Sequence, residues 1–202
     1  MIKGIDSFEQ KGFPGIKLIY LEDFPDGRGC FTPFFDQNDF AKVGLPTTFA
    51  GENQSLSKKN VLRGLHFQER NPQGKLVRVL SGKIYDVVVD LRKDSLTFGK
   101  WFSVWLSAPS RINPPTLLWI PPGFAHGFLS LEDETRVLYK VTQPRIAEDE
   151  RVLAWNDPTL AIRWPLKQEP LLSERDQKGM SWVSFIGLQL LEERQSQALE
   201  GD

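Results

Sequence analysis

Leu76-Val77-Arg78-Val79-Leu80-Ser81-Gly82-Lys83-Ile84-Tyr85-Asp86-Val87-Val88-Val89-Asp90 is the stretch whose reading decides the fold class. Two runs rich in branched residues flank Ser81-Gly82-Lys83, the pattern of a hairpin with glycine in its loop. Valine and isoleucine pack well on a pleated surface and lose rotamer freedom in a helix, so both runs read as strands. Further along, Trp101 to Leu106 alternates with period two, as a half-buried strand does. Leu117 to Ile120 is another strand, stopped by Pro121-Pro122-Gly123. Ala125 to Leu131 and Arg136 to Val141 read as a second pair around Glu132-Asp133-Glu134. Short strands with Gly and Pro turns, from about Ile16 to about Val141, predict an all-β sandwich or barrel and argue against a doubly wound fold.

Helix is minor in this reading. Asp36 to Val43 is expected to form a short helix with Asp36 as its N-cap. Ser181 to Gln197 is expected to form a C-terminal helix, with Trp182, Phe185, Ile186 and Leu190 as an apolar packing stripe. Residues 1–180 read as one domain and 181–202 as helix and tail, frayed from Gln195 to Asp202. A formal net charge of −1 gives no global pull towards nucleic acid or anionic lipid, so any polyanionic ligand must meet a local cluster of cations. Cys30 is the single cysteine, which excludes an intrachain disulfide and suits a reducing compartment. Met1 to Asp6 lacks the apolar core of a signal peptide, and no apolar run approaches the roughly 18 residues of a membrane span. A cytoplasmic location is expected, with no membrane and no nucleic-acid partner.

The chain has only two histidines, and each sits in a stretch that looks built around it. His66 lies in Val61-Leu62-Arg63-Gly64-Leu65-His66-Phe67-Gln68, and Gln73-Gly74-Lys75 adds a cation a short loop away. His126 lies between Pro121-Pro122-Gly123 and Gly127. An imidazole can take up a proton near neutral pH, which makes His66 a candidate general base and His126 a candidate donor to a substrate oxygen. A structural role for either remains open on the residues alone. Along a regular strand Arg63 and His66 point to opposite faces, so they share one only if the backbone bends at Gly64. Two distant histidines, one cysteine and no His-x-His pair make a metal site the minority expectation. Cys30 has no base beside it, and neither a P-loop nor a dinucleotide fingerprint is present. No cofactor is expected.

Taken together these segments resemble the dTDP-4-dehydrorhamnose 3,5-epimerase family, cofactor-free nucleotide-sugar epimerases of the cupin jelly-roll class. The carrying motifs are Asp26-Gly27-Arg28-Gly29, Asn60 to Gln68, Gln73 to Arg78, Asp86 to Arg92 with Thr97-Phe98-Gly99, and Leu118 to Leu129. Leu138-Tyr139-Lys140, Trp155-Asn156-Asp157-Pro158 and Leu172-Ser173-Glu174-Arg175-Asp176 follow in the family's order, so the resemblance covers about Ile16 to Asp176. It implies a jelly-roll barrel with a few short helices and a C-terminal helix, acting as a homodimer whose N-terminal strands are exchanged. It implies His66 as the base, Asp176 as its dyad partner, Lys75 stabilising an enolate at the sugar C4 oxygen, and Tyr139 as the acid on the opposite ring face. His126 would assist Lys75. Arg28, Arg63 and Arg175 would meet the diphosphate, and Asn53 and Arg145 complete the expected substrate contacts.

Three positions depart from the family's usual pattern. Pro33 stands where a glutamate is common, Gly51 where a glutamine is common, and Pro144-Arg145 where a Tyr-Tyr pair is common. The expected reaction is conversion of dTDP-4-dehydro-6-deoxy-D-glucose to dTDP-4-dehydro-L-rhamnose. The departures keep open a mono-epimerase acting at C3 or C5 only, or an epimerase for another nucleotide sugar. A nucleotide-sugar-binding protein without turnover and a metal-dependent cupin enzyme are the rivals from other classes.

Overall fold

A computed structural model describes residues 5–10, 12–110 and 114–200. One sheet has six strands in the spatial order β1 (Ile5–Glu9), β2 (Lys17–Leu21), β10 (Thr116–Ile120), β7 (Lys75–Ser81), β12 (Thr135–Val141) and β5 (Gly51–Ser57). The other has five, in the order β13 (Glu150–Val152), β6 (Leu62–Gln68), β11 (Phe124–Ser130), β8 (Lys83–Asp90) and β9 (Trp101–Ser107). A separate hairpin pairs β3 (Phe24–Asp26) with β4 (Gly29–Phe31). The two sheets face each other as a jelly roll. Three helices accompany them: α1 (Gln37–Lys42), α2 (Glu174–Gln177) and α3 (Trp182–Glu200).

Strands fall where the sequence places them, but two pairings do not. β7 and β8 are not a hairpin, because they lie in opposite sheets. β11 and β12 are likewise divided between the sheets rather than paired. Each of these strands carries apolar residues on both faces, and both faces need cover. Along β8, Ile84 and Val88 face the space between the sheets while Tyr85, Val87 and Val89 belong to the outer core. The chain therefore crosses between layers at Ser81-Gly82-Lys83. Gly82 has φ +76°, and a Cβ there would meet Thr135 Cβ at 3.0 Å and Cα at 3.1 Å.

Three apolar clusters result. The central one fills part of the barrel with Val77, Val79, Ile84, Val88, Leu118, Ile120, Phe124, Phe128 and Val137. Behind the five-stranded sheet, Leu62, Leu65, Phe67 and Leu129 pack against Leu153, Leu160, Trp182 and Phe185. Behind the six-stranded sheet, Ile19, Leu76, Leu117 and Trp119 pack against Phe40 of α1. Asp36 caps that helix as expected, accepting hydrogen bonds from the backbone N–H groups of Asn38 and Asp39.

The C-terminal helix corrects the expected tail, since it continues through Glu200; Gly201 and Asp202 lie outside the described residues. Its first turns seat Trp182 and Phe185 in the outer core, whereas Leu190 of the expected stripe is exposed. Among the described residues no helix is long and apolar enough to cross a membrane.

The crossing at Gly82 is open to a direct test. Gly82→Ala combines a left-handed backbone with a contact against Thr135, and should lower unfolding free energy by about 2–4 kcal/mol in urea titration. An unchanged midpoint would show that the turn can relax.

Candidate active site

Residues 62–68 hold the key to the site. Gly64 has φ +124°, and a Cβ on it would lie 2.5 Å from Gly127 Cα and 2.8 Å from the His126 carbonyl. A Cβ on Gly127 would in turn lie 2.7 Å from the Arg63 carbonyl. Two glycines thus let β6 and β11 approach closely at a bulge, where the register passes from His126 opposite His66 to Phe128 opposite Arg63. The bulge settles the question of faces. Leu62, Leu65 and Phe67 all reach the outer core, so Arg63 and His66 are left together on the inner side.

The interior end of the barrel gathers the titratable groups. His66 Nε2 lies 2.5 Å from Asp176 Oδ1, although 110 residues separate them in sequence. Ser173 caps α2, and its hydroxyl accepts the Asp176 backbone N–H at 3.1 Å, fixing the carboxylate's position. Burial alone would push the Asp176 carboxyl up, but its hydrogen bond with His66, the imidazole charge, and contacts from Ser173 and the Gly64 N–H hold it below the ordinary range. With Asp176 accepting from Nε2–H, the imidazole lone pair is on Nδ1, the nitrogen left to take a proton.

Lys75 opens β7 and is buried, its Nζ donating to the His66 carbonyl at 3.3 Å. Burial lowers its pKa to about 8, against the opposing pull of Glu150 and Asp86. The next strand, β12, carries Tyr139, opposite Asn53 of β5 and Val77 of β7. Burial raises the Tyr139 phenol above its usual value, an effect strengthened by Glu150 and opposed by Arg63 and Arg145. His126 Nε2 sits 2.8 Å from Asp86 Oδ2, and burial pushes that carboxyl up despite His126 and Lys75. Both histidines are therefore tied to carboxylates. Among the described residues no group of three or more His, Cys, Asp or Glu side chains could hold a metal ion.

Not every expected contact gathers here. Arg63 is anchored to β5, its Nε donating to Ser57 Oγ at 3.0 Å and its Nη2 to the Leu56 carbonyl at 3.0 Å. Arg145 and Arg175 both pair with Glu150 Oε2, at 2.7 Å and 2.6 Å. Asn53 is exposed on β5 at the level of Tyr139. Arg28 stands apart on the β3–β4 hairpin, paired with Asp26 and 91% exposed. Cys30 is exposed on the same hairpin. The sequence reading gave no role to Glu150 or Asp86. Asp86 was legible as a polar residue at an inward position of β8, between Ile84 and Val88; Glu150 carried no signal. A cavity lined by Phe67, Arg70, Arg92 and Phe185 lies on the outer side of β6, away from His66, Lys75 and Tyr139.

His66 of the five-stranded sheet, tied to Asp176 of α2, shares the barrel with a buried ammonium and a phenol carried by the six-stranded sheet. Groups of these kinds can take a proton from carbon and return one. The comparisons give the family. The model of the dTDP-4-dehydrorhamnose 3,5-epimerase family matches residues 10–183, and this chain belongs to that family. A dTDP-4-dehydrorhamnose 3,5-epimerase of Neisseria gonorrhoeae is 50% identical over 170 residues, which cover 84% of this chain and 51% of that protein. The chain thus spans about half the length of that relative. The Pseudomonas aeruginosa enzyme of the same name is 45% identical, over 84% of this chain and 92% of its own length. A solved structure of the Legionella pneumophila dTDP-6-deoxy-D-glucose-3,5-epimerase, in complex with dTDP-4-keto-L-rhamnose, superposes with a TM-score of 0.82 at 38% identity. It covers 88% of this chain and 93% of its own.

Lys75 yields a pH prediction with a definite sign. Its charge is lost above about pH 8, so kcat/KM should fall through that value, a limb absent from the residual activity of Lys75→Met. The same group makes folding less favourable below about pH 8, and that penalty is relieved as pH rises towards the unfolded value of 10.5. Lys75→Met should therefore raise Tm at neutral pH while lowering kcat about 100- to 1,000-fold. A lower Tm at neutral pH would mean that the buried ammonium stabilises the fold.

Proposed function

We propose that this protein converts dTDP-4-dehydro-6-deoxy-D-glucose to dTDP-4-dehydro-L-rhamnose by inverting C3 and C5. The observation that carries the reading is the division of proton-transfer groups between the two sheets, the His66–Asp176 dyad on one side and Tyr139 with Lys75 on the other. Inversion needs a base on one face of the ring and an acid on the other, because a single group returning its own proton regenerates the substrate. A proton next to a ketone is removable only when the resulting enolate is stabilised.

In this reading His66 Nδ1 removes the proton next to the C4 ketone, and Asp176 holds the imidazole in register and stabilises its charged form. Lys75, with His126 beside it, faces the oxygen on which negative charge develops. A preorganised cation at that point is a large term in catalysis. Tyr139 then protonates the opposite face. The bound diphosphate is met by Arg63 and Arg175, whose guanidinium forks suit phosphate oxygens.

The site is completed in this reading by a second copy of the chain. The β3–β4 hairpin stands clear of both sheets, with Arg28 91% and Phe31 68% exposed, which suits an arm reaching a partner's barrel. The enzyme then works as a cytoplasmic homodimer.

Incubation with dTDP-4-dehydro-6-deoxy-D-glucose in D₂O tests the assignment. Deuterium at C3 and C5 is expected, with the L-lyxo sugar as product, whereas label at one carbon would assign a mono-epimerase. No label would leave a binding protein or an enzyme for another sugar. His66→Ala should abolish exchange at both carbons. Tyr139→Phe should impair inversion while exchange by His66 stays measurable; equal loss of both would remove Tyr139 from the role of acid.

A further inference from the structure

The outer face of the six-stranded sheet carries a charged residue that its neighbours do not satisfy. Arg78 of β7 stands between Leu117 of β10 and Leu138 of β12, register partners that share its face. In the adjoining row Leu76 stands beside Lys140, and Lys140 beside Glu52 of β5. The intervening Val77 and Tyr139 turn into the barrel, so this face is the back of the strands that carry Lys75 and Tyr139. The loop between β4 and α1 covers part of it with aromatic rings. Phe34 lies under the Arg78 guanidinium, with Cζ 2.9 Å from the ring centroid. Phe35 is held edge-on by Phe40 and Phe49, at centroid distances of 4.9 Å and 5.9 Å. Arg78 Nε is buried and meets no acceptor among the described residues. The carboxylate that acts on it, Glu52, is already engaged by Lys140 Nζ at 2.6 Å. A cavity of about 220 Å³ opens between these groups.

We infer that this cavity is a binding site for a small aromatic monocarboxylate, its carboxylate accepting from Arg78 and its ring seated between Phe35 and the leucines of the sheet. Each part of that ligand answers one part of the wall. A buried guanidinium donor without an acceptor is costly, and an anionic oxygen supplies the strong partner it lacks. The Phe34 ring beneath the guanidinium fixes its plane, so the donors are oriented before a ligand arrives. Leu76, Leu117 and Leu138 make the floor apolar, which favours a ring over a hydrated ion. Arg78 and Lys140 against Glu52 leave a single net positive charge, matching a monoanion, and Glu52 would repel the second charge of a phosphate ester. The volume is below the roughly 300–1,000 Å³ of sites for drug-sized molecules, so the body is one ring. This pocket lies outside the barrel, whichever sugar the interior takes. Its occupant would touch Leu76, Leu138 and Lys140, the immediate chain neighbours of Lys75 and Tyr139.

Benzoate is the probe, titrated calorimetrically into the full chain. Saturable binding is expected. Benzyl alcohol, with the ring but not the charge, and acetate, with the charge but not the ring, should each bind at least about tenfold more weakly. Arg78→Met should weaken benzoate binding about tenfold or more, with circular dichroism reporting whether the fold is kept. Leu138→Trp retains the guanidinium and fills the cavity, so it should abolish binding even if Arg78→Met does not fold. Absence of saturable benzoate binding to the wild-type chain overturns the proposal. Undiminished affinity in either folded variant also overturns it, because the probe would then sit elsewhere. Acetate or inorganic phosphate binding as tightly as benzoate does the same, reducing the cavity to a point of positive charge.

Discussion

The close approach of Gly64 to Gly127 is the constraint on which the site depends. Side chains on neighbouring strands ordinarily keep backbones at the spacing of a regular ladder. Here neither residue has a Cβ, and the space each would need is taken by the other strand's backbone. The bulge that results changes the alternation of β6 within three residues. Arg63 and His66 then share the inner face while Leu62, Leu65 and Phe67 stay in the outer core. Without it, seating the three apolar residues and turning the imidazole inward would conflict.

The barrel interior combines two environments. Val77, Val79, Ile84, Val88 and Val137 give it an apolar lining, and a polar part made of His66, Lys75, Asp86 and His126 is set among them. The polar part is expensive to bury unless its members satisfy one another, and they do. His66 is bound to Asp176, His126 to Asp86, and Lys75 to the carbonyl of His66 itself. A lysine that has lost much of its hydration is the group most ready to be stabilised by new negative charge.

Much of this was legible in the sequence, for identifiable reasons. Branched residues and Gly or Pro turns gave the strands, and Asp36 gave the α1 boundary, because these are local effects. The two mistaken pairings show the limit: period-two alternation marks a strand but not its neighbour, and Gly82 marks a turn without saying whether it stays in one sheet. The inner faces of Arg63 and His66 depended on a bulge set by Gly127, more than sixty residues away. Asp176 was nominated only through family resemblance, since nothing in its own neighbourhood points to a histidine 110 residues earlier. Glu150 acquires meaning only when folding brings Arg145 and Arg175 to one oxygen.

The distant origin of Asp176 bears on the order in which the machinery comes into being on the ribosome. His66, Lys75, His126 and Tyr139 all precede Val141, the last residue of β12, so every strand that bears them is synthesised first. The imidazole's partner and the Trp182 and Phe185 that back β6 come only afterwards. A nascent chain can therefore assemble most of its barrel while His66 still lacks its carboxylate partner. The pair closes late, with the short helix that carries Asp176.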